Sequence, residues 1–98
     1  MLSSMKAVLC TSLLVLLPLG AVAALPGDAA EGQRLHNVHC TGCHDSGVYT
    51  RKDRNVRSLD ALKGQLQACG HMALKRELSA AEAQNLLKYL NERFYRFR

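Results

Sequence analysis

The chain has no tryptophan and few other aromatics, three tyrosines and two phenylalanines among 98 residues. Its basic residues are not interleaved with rings on which bases could stack, so the formal net charge of +5 does not point to nucleic acid. No stretch alternates polar and apolar residues, so no β-strand is expected. Internal repeats and low-complexity tracts are missing too. Nothing resembles a substrate pocket with paired acid and base groups, so an enzyme is not expected. The apolar run from Ala7 to Leu19 falls short of the ~20 residues that a membrane span needs. What is left is an all-α chain.

The short apolar run has another reading. Lys6 precedes it, Pro18 and Gly20 close it, and Ala21-Val22-Ala23 offers the small residues that a signal peptidase needs. Residues 1–24 are therefore expected to be an export signal cleaved near Ala23 or Ala24, with an uncleaved anchor as the alternative. Cys10 does not suit a lipoprotein site, because Leu9 is too bulky and the apolar run follows it. Residues 25–98 then form one small basic domain, expected in the periplasm, with no membrane span. A domain of this size rarely builds enough core to be stable alone.

Cys40-Thr41-Gly42-Cys43-His44 supplies what such a core lacks. C-x-x-C-H is the c-type haem attachment pattern. Cys40 and Cys43 would each bond one vinyl group of a single haem c, and a single helical turn carries His44 beneath the iron. A bare C-x-x-C is weak evidence; the adjacent histidine and the export signal strengthen it, since haem attachment to thiols belongs outside the cytoplasm. A zinc site would need a second, correctly spaced ligand pair. A thioredoxin-like motif would need β-α-β context. Neither is present.

Helices are expected on both sides of this motif. Asp28-Ala29-Ala30-Glu31 has the form of a capping box, and Ala29, Gly32, Leu35 and Val38 recur at helical spacing up to Cys40. Glycine is costly inside a helix, so a close neighbour is expected at Gly32, with the last helix as the candidate. Asp45 to Arg57 shows no period and reads as a loop carrying the basic cluster Arg51, Lys52, Arg54 and Arg57. Ser58 caps a second helix with Leu59, Leu62, Leu66 and Cys69 on one face, and Gly70 reads as its terminator. Ser79-Ala80-Ala81-Glu82 opens what should be the longest helix. Ala83, Leu86, Leu87, Leu90, Phe94 and Phe97 would face inward there, and Lys88, Asn91 and Arg93 outward. Phe97 suggests a tail docked on the body or on a second subunit. His36 and His39 read as surface or haem-edge residues.

A capped helix running into C-x-x-C-H, a loop, a middle helix and a capped last helix together resemble a small class I cytochrome c, over essentially all of residues 25–98. The resemblance implies three main helices packed around one covalent haem. The first and last helices would cross near Gly32 and Tyr89 or Leu90. The iron's sixth ligand would come from the segment before the last helix, where such cytochromes place a methionine; Met72 stands there, ahead of Ser79. Cys69 is the other candidate, because it is an odd cysteine in an exported chain; otherwise it would simply complete an apolar stripe. His71 is a lesser candidate. Val48-Tyr49-Thr50-Arg51, Cys69, and the ending Tyr89-Leu90-Asn91 with Phe94-Tyr95-Arg96-Phe97 also resemble the heterodimeric His/Cys-ligated c-type cytochromes of anaerobic ammonium oxidisers. That resemblance favours Cys69, although Met72 departs from the subgroup and keeps methionine ligation open.

The expectation is thus a periplasmic electron-transfer cytochrome with His44 and Cys69 as axial ligands and a low potential. An ordinary His44/Met72 carrier, or a gas-binding haem subunit of a larger oxidoreductase, are the alternatives. Redox partner proteins are implied, with a second cytochrome subunit as a further possibility. The basic loop would meet haem propionates or steer an acidic partner.

Overall fold

The computed structural model describes residues 24–42 and 44–98. The expected export signal up to residue 23, Cys10 within it, and Cys43 lie outside the described residues. Three α-helices, α1 (Ala29–His39), α2 (Leu59–Leu74) and α3 (Ala80–Leu90), are joined by a 3₁₀ turn at Ser46–Tyr49 and followed by a π-helical turn at Asn91–Tyr95. The described residues contain no strand, in keeping with an all-α chain. No helix among them is long and apolar enough to cross a membrane.

Each helix starts where a side chain satisfies its orphan backbone donors. Asp28 accepts from the N–H groups of Ala30 and Glu31, while Glu31 turns away to pair with Arg34 at 2.9 Å instead of closing the box. Ser58 accepts from Ala61. At α3 the box is complete: Ser79 Oγ accepts from the Glu82 N–H, and Glu82 accepts from the Ser79 N–H. Arg76 adds a two-pronged bond to the Glu82 carboxylate at 2.7 and 2.8 Å.

α1 and α3 pack most closely, and Gly32 is the reason. A methyl group at Gly32 would lie 2.5 Å from the Asn85 carbonyl carbon and 2.9 Å from Tyr89 Cβ. The expected crossing is there, with Asn85 as a contact that the sequence did not suggest. Asn85 also accepts from the Asp28 N–H at 2.8 Å, and Lys88 Nζ donates to the Leu25 carbonyl at 3.0 Å. The chain entering α1 is therefore strapped to α3. Lys88 is spent on that strap and does not simply face water.

Several expectations need correction. α2, not α3, is the longest helix. Gly70 does not end α2; it is buried within it, where a methyl would stand 2.6 Å from Leu78 Cδ1, so the residue admits a close neighbour. Lys75 ends the helix in the left-handed conformation, its N–H donating to the His71 carbonyl. The inward stripe of α1 runs through Gly32 and His36, and Val38 is 66% exposed. The core joins Leu62 and Leu66 of α2 to Leu78, to Leu86, Leu87 and Leu90 of α3, and to Val56, Tyr49 and Tyr95. Cys69 does not join it and is exposed.

Asn91 is also buried, contrary to its expected outward placement. It clasps the tail, accepting from the Phe97 N–H at 2.8 Å and donating to the Phe97 carbonyl at 3.1 Å. The docked tail expected from Phe97 is thus real, and it docks on its own body, with the Phe97 ring stacked on Tyr95 at 5.3 Å.

Gly32 and Gly64 lie in helix interiors with opposite surroundings and should respond oppositely to alanine. Gly32→Ala should lower stability by roughly 1–3 kcal/mol, because backbone atoms must yield to the new methyl. Gly64→Ala meets open space and should raise it by up to about 1 kcal/mol. Urea denaturation of the two variants reads both signs. In the same assay, pH tests the α3 box. Hydrogen bonds from Arg76, and then from the Ser79 N–H, pull the Glu82 carboxyl from 4.5 down to about 2. A carboxyl depressed on folding contributes stability that is whole above its unfolded value and is lost as pH falls through its folded one. Glu82→Gln should therefore flatten the acid limb between about pH 4.5 and 2.

Candidate functional site

The end of α1 and the turn after it present the first residues of the motif. Cys40 caps α1, its N–H donating to the His36 carbonyl at 2.8 Å, and is half-buried. Thr41 Oγ1 ties the departing chain back to the Asn37 carbonyl at 3.2 Å. His44 lies outside any helix or turn and is exposed. Its Nδ1 lies 3.0 Å from the Asp45 carbonyl. A carbonyl can only accept, so Nδ1 carries the proton and Nε2 keeps its lone pair for a metal or another donor. The Asp45 side chain accepts from the Gly47 N–H at 2.9 Å and starts the 3₁₀ turn inside what the sequence suggested was an irregular loop.

That turn delivers Tyr49 to the centre of the site. The Tyr49 ring stands perpendicular to that of His44 at 5.4 Å and packs on Phe94 at 5.1 Å and Tyr95 at 5.7 Å. Its hydroxyl meets His36 Nε2 at 2.9 Å in a buried hydrogen bond. His36, only 6% exposed, is therefore an interior residue and not a surface one. Burial, and next the nearby His44, hold its imidazole below the ordinary histidine range, with Asn37 opposing the shift. Burial pushes the Tyr49 hydroxyl up, and Cys40, Tyr95, Cys69 and Tyr89 add to this in that order. Cys40 and Cys69 thus both lie within electrostatic reach of one tyrosine.

α2 supplies the opposite wall. Gln65 Nε2 donates to Cys69 Sγ at 2.9 Å, one helical turn apart. Gln65 also lines, with His44, Val48, Tyr49, Val56 and Tyr95, a cavity of about 180 Å3. The exposed Cys69 is thus linked to the cavity that His44 lines through Gln65. Met72 is 71% exposed, and His71 and Cys69 are exposed too; none of the three lines that cavity.

The donor set suits a haem in its parts: a half-buried thiol at a helix end, an imidazole with Nε2 available, and a cleft in which Val48, Val56 and two tyrosine rings are mixed with Arg51, Arg54, Asn55 and Gln65. The cavity is below the 300–1,000 Å3 of ordinary small-molecule sites. Both α1 and α2 lean on α3 and touch each other little. α2 is thus the element whose displacement would widen the cleft. A bare metal ion is served less well: among the described residues no group of three or more His, Cys, Asp or Glu side chains is placed to hold one.

The basic cluster is partly structural. Arg51, Lys52, Arg54 and Arg57 do share one concavity with Thr50. Arg54, however, donates to the carbonyls of Tyr49 and Val56 at 3.2 Å each and lies over the Tyr95 and Phe97 rings at 5.1 and 5.2 Å. Arg51 and Arg54 also line the His44 cavity.

Sequence reasoning missed His36, Gln65 and Asn91. For His36 a signal existed: Gly32, His36 and Cys40 are spaced by four and share a helix face. Nothing comparable marks Asn91, whose partner is backbone. Comparison with family models, with curated proteins and with solved structures finds no match for this chain.

Proposed function

We propose that this protein is an exported electron-transfer cytochrome carrying one covalent haem c, with His44 as proximal ligand and Cys69 as distal ligand. The observation that carries the reading is the Cys40-x-x-Cys43-His44 motif, with His44 Nδ1 donating to the Asp45 carbonyl at 3.0 Å so that Nε2 keeps its lone pair. Outer-sphere hydrogen bonds of this kind fix the tautomer of metal-binding histidines. Haem supplies one-electron exchange between ferric and ferrous iron, at a potential that the axial ligands tune.

The chain's own residues do the rest. Cys40 and Cys43 hold the group at the end of α1, and His44 orients it. Val48, Val56 and the ring of Tyr49 exclude water from one side. Cys69 offers a sulfur from α2, and as a thiolate it would favour the ferric state and lower the potential. Gln65 steadies that sulfur by donating to it. Arg51 and Arg54, which line the same cavity, would pair with the propionates, while Lys52 and Arg57 would add charge that attracts an acidic partner. The ordinary alternative is Met72 as distal ligand; either side chain, Cys69 or Met72, would have to turn inward from an exposed position.

Purified protein should keep its colour through acid-acetone extraction, and Cys40→Ala should weaken the attachment. Colour lost from the wild type would end the haem reading. The distal ligand is decided by ferric spectra and midpoint potentials of Cys69→Ser and Met72→Leu. Low-spin, low-potential protein that only Cys69→Ser disrupts supports the thiolate. A high potential lost only in Met72→Leu makes this an ordinary His/Met carrier, and uptake of carbon monoxide by the reduced wild type favours a gas-binding role. Electron exchange with an acidic partner should slow as salt rises, since exposed charges are screened over about 8 Å at physiological ionic strength.

A further inference from the structure

His44 is weakly held for a residue that must aim a ring. It is exposed, lies outside any helix or turn, and among the described residues its ring bonds to the carbonyl of the next residue. The ring packed on it is Tyr49, edge to face at 5.4 Å and 90°. Tyr49 is fixed from several sides. Phe94 and Tyr95 pack on its ring, and His36 Nε2 holds its hydroxyl at 2.9 Å. His36 is in turn packed between Tyr49 and Tyr89, at 5.7 and 5.5 Å.

A pair of phenylalanines would fill this space without burying polar atoms. As it is, His36 Nδ1 is buried with no hydrogen-bond partner among the described residues, which opposes folding. What the polar pair adds is direction. Rotation of an aromatic ring about its last torsion is soft, whereas a hydrogen bond ties the hydroxyl to one point. Edge-to-face contact is itself orientation-dependent, so a fixed Tyr49 ring restricts the ring of His44. The same residue, His36, accepts the Cys40 N–H at 2.8 Å. One turn of α1 therefore carries the first attachment thiol and the clamp on Tyr49.

We propose that His36 and Tyr49 are positioning residues for His44, and that their buried hydrogen bond sets the rotation of its imidazole plane about the bond that Nε2 would make to iron. This rests on the haem reading of His44. Ligand-plane rotation sets the ferric g-anisotropy and the spread of haem-methyl proton shifts, two signals that a loss of stability alone does not move.

The test uses the holoprotein with Tyr49→Phe, His36→Phe and both together. Each single variant should shift the g-values and the methyl spread in the same direction, and the double should shift them no further than either single, as expected when one bond is removed twice. Wild-type g-values in both singles, with only a lowered thermal midpoint, overturn the inference and leave the pair as ordinary core. Additive shifts in the double overturn it as well. Nuclear Overhauser contacts between the His44 and Tyr49 rings read the same orientation whether or not haem is attached, and should weaken in both singles. If the wild type loses its colour on extraction while those contacts weaken as expected, the haem reading fails and the positioning stands. If haem is retained and the contacts stay unchanged, the positioning fails and the haem reading stands.

Discussion

Everything in the site depends on how near α1 can come to α3. Without a side chain at Gly32, the backbone of α1 reaches the Asn85 carbonyl and Tyr89 Cβ. That approach has three consequences on one helix face. It buries His36 one turn later, and it brings Cys40 to the edge of the core two turns later. It also places the end of α1 where the 3₁₀ turn can fold Tyr49 back against His36. A wider crossing would leave His36 in water and Tyr49 without an anchor. The Asn85 bond to Asp28 and the Lys88 bond to Leu25 fix the same pair of helices from the other end, so α1 is aligned by both its termini.

Local chemistry was easy to read in the sequence, and tertiary choices were not. The caps at Asp28, Ser58 and Ser79 act within a few residues, so a short string suffices to identify them. The need for a neighbour at Gly32 was also legible, because a glycine inside a helix has a known cost. Gly70 shows where this stops. The same residue type one turn before a polar stretch reads as a terminator, yet Leu78 folds back onto it, and only the folded chain contains that contact. Asn91 and His36 fail for a related reason. A polar residue is assigned outward unless a partner is known, and their partners are a backbone carbonyl at Phe97 and a hydroxyl thirteen residues away. The motif Cys40 to His44 named a chemistry without a geometry. The structure adds the direction of His44 Nδ1 and the neighbours of Cys69, while Cys43 lies outside the described residues.

The energetics of so small a chain explain why the cleft matters. The core is a leucine cluster shared by α2 and α3, and α1 joins it through Gly32, His36 and the half-buried Leu35. Domains of this size seldom gain more than about 3–5 kcal/mol from their core alone. α2 meets α3 along one side, while its Gln65 lines the cleft together with His44 and bonds to the exposed Cys69. On the reading proposed above, a covalent group in that cleft would bridge the two elements that touch each other least. It would supply α2 with a second wall at the point where its apolar stripe runs out.

The basic loop has the opposite problem, since like charges gathered on a mobile segment would spread apart. Here Arg54 solves it. Its guanidinium donates to the carbonyls of Tyr49 and Val56 and lies over Tyr95 and Phe97, so both ends of the loop and the docked tail share one cation. Such cation–π contacts contribute about 0.5–1 kcal/mol each at exposed sites and more when desolvated. Arg57 then bonds to the Arg54 carbonyl at 3.3 Å, while Arg51 finds only a loose partner in Asp53 at 3.7 Å. The cluster is thus divided between a structural cation and outward ones held in fixed relation to it. On the reading proposed above, a charge pattern fixed on the same aromatic group that contacts His44 would keep an approaching acidic surface in register with the cleft, because the two share Tyr49 as a common support.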